Sequence, residues 1–301
     1  MANLKELKIR IASVKSTQKI TKAMQMVAAS KLRKAQERAE AVRPYTEKME
    51  KMLSELSASI SGDNAPKLLS GHISDNGKAK NDNVLLLVAT ADRGLCGGFN
   101  SSIVKEAKEQ ADLLKRQGKN VSIITIGKKG LEQLSSIYGN IIIHSFDTTG
   151  KKQPEFADSE EAAEKIIELF ESDKIDVCKV IFSKFVSPLE QNVTVQQLIP
   201  LENNEIVESD VKTSSASSVY EYEPNEESVL STLLPHNIAV QIYRGVLENA
   251  ASEQGARMTA MDNATRNAGD MIDGLTLVYN RTRQAAITTE LTEIVAGAEA
   301  V

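Results

Sequence analysis

The stretch ADRGLCGGFN, residues 91–100, gathers three glycines and a cysteine where an apolar run gives way to a helical pattern. Loops at that position in α/β proteins hold phosphate, because free backbone N–H groups and the following helix N-terminus attract anions. The spacing is not GxGxxG, and the GK[ST] ending of a phosphate loop is missing, so the nucleotide signal is weak. Gly94, Gly97 and Gly98 read instead as a tight turn using backbone angles closed to other residues. GKKG at 127–130 reads as a second turn. Cys96 would be a reactive thiol if exposed, whereas Cys178 falls in an apolar run and reads as buried. The pair fits no metal-ligand spacing and points to a reducing compartment. His72, His144 and His236 lie on separate elements with no nucleophile or metal set beside them, so each reads as a surface or packing residue. No catalytic residue, cofactor or metal is expected.

A second possible chemistry is electrostatic. Residues 1–43 hold 11 Lys/Arg against 3 Asp/Glu, a local +8. The rest of the chain, with 36 − 11 = 25 bases and 41 − 3 = 38 acids, carries −13, which gives the net −5. Lys15, Lys19, Lys22, Lys31, Arg33 and Lys34 resemble a phosphate-binding stripe. No aromatic residues interleave with them, which argues against nucleic acid. The nearby apolar residues are Ala and Met rather than Trp, Phe and Leu, which argues against a membrane surface. Charge asymmetry of this kind marks partners rather than fold.

The elements that must carry these groups follow from pattern. From Met1 to Ser61 there is no Gly and one Pro, so a helix can run to about Val42, be disturbed at Arg43-Pro44, and continue or restart through Leu56. Leu4, Leu7, Ile11 and Val14 form a coiled-coil seam. Ile20, Met24 and Val27 leave that phase, so the apolar stripe is expected to turn around the helix and meet partners on more than one side, an imperfect core helix being the other reading. Residues 62–82 form a polar linker. Apolar runs at 83–92, 121–127, 140–146, 176–185 and 193–201 alternate with helical patterns at 100–117, 129–138 and 158–172. That alternation predicts a largely parallel sheet covered on both faces, a Rossmann-like α/β domain over 83–205. A polar connection spans 206–228.

After Pro235 no proline appears up to Val301. A helix of that length would run on the order of 90–100 Å. Leu247, Ala251, Gln254, Met258, Met261, Thr265, Ala268, Ile272, Leu275, Tyr279, Thr282 and Ala286 follow spacings of four and three without a break, a left-handed coiled-coil seam. The matching partner is the N-terminal helix. The fold class expected is therefore α/β, with a long antiparallel coiled coil of helices 1–61 and 229–301 flanking the inserted domain. No apolar run approaches the ~18 residues of a membrane span, and the first residues show no signal-peptide core. A cytoplasmic protein is expected.

IASVKSTQKITKAMQMVAASKLRKAQ (11–36), DRGLCGGFN (92–100) and the whole of 247–301 resemble the γ subunit of bacterial F-type ATP synthase. The resemblance covers the chain in order and implies a central rotor shaft without a catalytic site of its own. It implies one copy per complex inside a hexamer of α and β subunits, standing beside ε on the c-ring. It also implies a peripheral place at the cytoplasmic face of the bacterial inner membrane, held there only through the complex, and no nucleic acid. Matched position by position, Met24 corresponds to a contact with the β lever. Arg257, Gln284 and Thr288 correspond to contacts with the β catch region, and Tyr222 and Glu223 to the segment touching the c-ring loops. Ala285, Ala286, Thr288, Thr289, Ala296, Gly297 and Ala298 suit a tip that turns without sticking. No cysteine-bearing insertion like that of the chloroplast form is present, so thiol control is not expected. Two other readings remain: a nucleotide-binding α/β protein with helical extensions, and a coiled-coil adaptor whose basic arm holds nucleic acid.

Overall fold

The computed structural model describes residues 4–59, 66–72, 80–150, 153–201 and 226–299. Twelve elements follow in order: α1 (Leu4–Ser59), α2 (Lys67–Ser70), β1 (Asn83–Ala89), α3 (Phe99–Arg116), β2 (Asn120–Ile126), α4 (Lys128–Tyr138), a 3-10 turn (Gly139–Ile141), β3 (Ile142–Phe146), α5 (Phe156–Glu171), β4 (Val177–Phe185), β5 (Gln191–Ile199) and α6 (Glu226–Glu299). The chain forms two compact units. One joins residues up to Ser30 with those from Arg257 onward; the other spans Lys31–Ala256.

The larger unit is built on a five-stranded sheet of order β3-β2-β1-β4-β5. The first four strands run parallel, and β5 returns antiparallel to β4. The largely parallel α/β expectation is met. The sequence explains why both faces are covered. Val84, Leu86 and Val88 of β1 point into a cluster with Ile103, Val104, Ala107 and Ala111 of α3 and Leu134 of α4. Leu85, Leu87 and Ala89 point the other way, onto Ala162, Ala163 and Ile166 of α5 and Ile238, Ala239 and Ile242 of α6. Successive strand residues face opposite sides, so an unbroken apolar run demands helices on each.

Helix α1 passes through Pro44 without ending. Proline supplies no N–H to the turn before it. Beside it Thr46, buried, donates its hydroxyl to the Arg43 carbonyl at 2.8 Å. Helix α6 likewise holds Pro235 in its interior, so it begins earlier than the proline-free stretch of the sequence suggests.

In the larger unit, Met49, Leu53 and Leu56 of α1 bury themselves against Leu230 and Leu234 of α6. Tyr45 Oη meets His236 Nε2 at 3.0 Å, and Arg244 pairs with Glu50 at 2.9 Å on the rim.

Candidate functional site on the paired terminal helices

In the smaller unit the same two helices pair again, through polar groups. Gln18 Nε2 donates to the Thr265 carbonyl at 3.4 Å, and the Thr265 and Thr21 hydroxyls meet at 2.8 Å. Gln25 Nε2 donates to Asp262 Oδ1 at 2.9 Å, and Arg266, one turn along, closes on the other carboxylate oxygen. A Cβ on Gly269 would stand 3.2 Å from the Gln18 amide nitrogen, so glycine there keeps room for that side chain.

Along this pairing the side of α1 that faces α6 keeps one phase. Residues 4, 7, 11, 14, 18, 21, 25, 28, 32, 35, 39, 42, 46, 49, 53 and 56 of α1 are all buried or half-buried, at alternating spacings of three and four. In each unit the covered side of α1 thus keeps a three-four spacing. Ile20 and Val27 lie off that phase and are 57% and 56% exposed. The seam positions between Val14 and Ala28 are Gln18, Thr21 and Gln25, buried or half-buried polar residues whose partners α6 supplies. On α6 the expected seam holds: each of its members from Leu247 to Ala286 is buried or half-buried. Beyond Ala286, residues 287–298 are all exposed, Ile287, Leu291, Ile294 and Val295 among them.

The named contact residues fall as follows. Met24 and Arg257 are half-buried in the smaller unit. Gln284 and Thr288 are exposed one turn apart on α6, with the Thr288 hydroxyl donating to the Gln284 carbonyl. Tyr222 and Glu223 lie outside the described residues. Lys15, Lys19, Lys22, Lys31, Arg33 and Lys34 are all exposed. Lys22 reaches Gln25 Oε1 and Arg33 pairs with Glu37, both along their own helix.

The glycine-rich loop is occupied by the protein's own groups. Asp92 accepts the Lys128 N–H at the start of α4 and the Thr148 hydroxyl, so a carboxylate supplies the anion that this helix end attracts. Asn100 Oδ1 accepts the Ala91 N–H, and its amide donates to the Cys96 thiol. Thr90 accepts the Gly130 N–H. Gly127, at φ 90°, approaches so closely that a Cβ there would lie 2.3 Å from the Thr90 carbonyl oxygen. Cys96 is buried in this turn, and burial pushes the Cys178 thiol well up. His72 is buried, stacked on Phe170 with Nε2 3.0 Å from the Phe170 carbonyl and Nδ1 3.3 Å from Asp173. His144 sits edge-on to Phe146, and His236 meets Tyr45. Among the described residues no cluster of His, Cys, Asp and Glu could hold a metal ion, and no helix is long and apolar enough to cross a membrane.

A feature the sequence reading missed joins α6 to the sheet. Ser183 of β4 donates its N–H to Asn249 Oδ1 at 3.2 Å, and its carbonyl accepts the Ser252 hydroxyl at 2.8 Å. Phe185 N–H donates to Glu248 at 3.1 Å. Asn249 and Ser252 are buried. The available signal was polar residues on the core-facing side of an otherwise apolar helix turn.

Comparison with known proteins gives the family. A family model described as ATP synthase matches residues 3–301. The ATP synthase gamma chain of Jannaschia sp. (strain CCS1) is 54% identical over 303 residues, covering all of both chains. The chain belongs to the ATP synthase gamma-chain family. The gamma chain of Paramagnetospirillum magneticum is 52% identical, again over the whole of both. Among solved structures, the central stalk and c-ring of Tetrahymena thermophila mitochondrial ATP synthase matches with a TM-score of 0.58 and 26% identity, covering 81% of this chain and 99% of that one. A chain of the Euglena gracilis mitochondrial ATP synthase assembly of OSCP, F1 and c-ring matches with a TM-score of 0.68 over 99% and 94%, and at 18% identity it shows the likeness of fold. As a gamma chain, the protein is a central-stalk rotor subunit of ATP synthase.

Proposed function

We propose that the chain couples rotation of a c-ring to conformational change at β-subunit catalytic sites, at the cytoplasmic face of the bacterial inner membrane. It does so with no catalytic residue of its own. Its partners are the hexamer of α and β subunits, ε and the c-ring, with one copy in each complex. The α/β domain over 83–205 and the terminal helices, 1–61 and 229–301, are the parts assigned to this task.

The observation that carries this reading is the antiparallel pairing of α1 and α6 through a seam fixed by directional polar bonds. A pair held only by apolar contact could slip or rotate about its own axis, and a shaft must do neither. Two unlike helices also make an asymmetric cross-section. Over 4–30, six Lys/Arg stand against Glu6 alone; over 257–299, four Arg stand against six acids. Equivalent β subunits around such a pair face different charge and shape, and so can be held in different states. The exposed lysines of α1 offer long-range, salt-sensitive attraction to acidic surfaces of β. Met24, Arg257, Gln284 and Thr288 serve as the β contacts, and Tyr222 and Glu223 as c-ring contacts.

Affinity purification from native membranes through a tag on this chain tests the reading. The expected result is α and β recovered in equal amounts and in excess over the chain, with ε and c. Recovery of the chain alone, or specific ATP binding by the isolated chain in equilibrium dialysis, would overturn it.

A further inference from the structure

Strand β4 outruns its neighbour. The last register pair between β1 and β4 is Val88 with Ile181, while β4 continues to Phe185 beside β5. On the vacated side the backbone of Ser183 and Phe185 has lost its strand partner. Helix α6 fills that place with side chains: Asn249 takes the Ser183 N–H, Ser252 donates to the Ser183 carbonyl, and Glu248 takes the Phe185 N–H. Two glycines of α6 flank the junction. A Cβ on Gly245 would stand 3.5 Å from the Phe182 ring, and one on Gly255 3.1 Å from the Phe185 ring. The helix is thereby spliced into the sheet as a substitute strand edge.

Apolar packing of α6 on the sheet, through Ile238, Ala239 and Ile242, is non-directional and resists sliding only by shape. Hydrogen bonds are directional and weaken steeply with misalignment. A turn of the helix by one residue, ~100°, would carry all three side chains off their partners at once. We propose that Glu248, Asn249 and Ser252 are positioning residues for energy coupling, transmitting twist from the α/β domain into α6 without slip. This rests on the rotor function of the chain.

The test uses the assembled enzyme in inverted membrane vesicles, with ATP hydrolysis and ATP-driven proton pumping measured on one preparation. Hydrogen exchange of the 183–185 amides is read on the same complex. Asn249→Leu keeps the shape and removes the acceptor, whereas Asn249→Asp keeps the acceptor. Exchange at Ser183 is expected to quicken on the order of tenfold in Asn249→Leu, the loss of one buried partner. Pumping per ATP hydrolysed should fall at equal assembly, and Asn249→Asp should restore both. Glu248→Ala and Glu248→Gln repeat the comparison at Phe185 from a half-buried position, and decide the matter if Asn249→Leu does not assemble. Quickened exchange with wild-type pumping per ATP overturns the proposal, as does unchanged exchange. If the wild-type complex itself shows no coupled pumping, the rotor reading fails instead.

Discussion

Leu32→Ala and Val27→Ala, five residues apart on α1, separate the three-four seam from the turning stripe. Leu32 is 5% exposed at a seam position and Val27 is 56% exposed off it. Truncating a buried leucine removes its transfer free energy and leaves a cavity, together ~2–5 kcal/mol. A two-helix seam can close over part of the gap, which puts Leu32→Ala at the low end, about 2–3 kcal/mol. The alanine recovers a few tenths through helix propensity. Val27→Ala removes little buried area and gains roughly 0.5 kcal/mol of propensity, so it should be neutral or slightly stabilising. In urea, with a slope of about 3 kcal/mol/M, the first change lowers the midpoint by somewhat under ~1 M and the second leaves it in place. Far-UV circular dichroism of the purified chain reads both, because helix dominates the signal. Equal midpoints for the two variants, or a larger loss for Val27→Ala, would refute the seam. In the assembled complex the order should invert for binding, since Val27 is free to meet a partner and Leu32 is already covered.

Gly127→Ala places a methyl 2.3 Å from the Thr90 carbonyl at a φ of 90°. The clash falls on backbone, so a loss of at least ~3 kcal/mol is expected, checked by soluble yield and melting temperature; a wild-type melt would refute it. The Tyr138 phenol is pushed up to about 12 by burial and by its hydrogen bond to Asp112. Its folded pKa lies above the unfolded ~10, so its contribution is present below pH 10 and lost as pH rises from 10 toward 12. Denaturation midpoints of Tyr138→Phe and wild type should therefore converge across that window, and parallel curves would contradict the assignment. Met24→Lys adds a cation on the surface assigned to the β lever and should lower pumping per ATP in vesicles. Normal pumping would remove Met24 from the coupling contacts.

The α/β domain was legible because its strands are apolar on both faces, and that composition demands helices above and below. The seam of α6 was legible because most of its members are apolar or small. The seam of α1 was not legible past Val14. Its positions at 18, 21 and 25 are Gln, Thr and Gln, while Ile20 and Val27 lie outside, and hydrophobicity alone ranks these the wrong way round. Burial of the polar set depends on Thr265 and Asp262, residues more than two hundred positions away. The splice at Ser183 escaped for a similar reason: Asn249 and Ser252 look like surface residues until the end of β1 leaves backbone groups for them to satisfy. At Pro44 the sequence left continuation and restart both open, and the helix continues.

Thr21 and Thr265, bonded across the smaller unit, are separated by 244 residues of chain. A ribosome adding ~5–20 residues per second needs roughly ten to fifty seconds to cover that distance. For that interval the newborn first helix carries Leu7, Ile11 and Val14 with no mate, while the domain between can already collapse on its own strands. Biogenesis of this protein therefore has a built-in waiting period, in which trigger-factor-like holdases and proteases compete for one amphipathic end until the other leaves the exit tunnel.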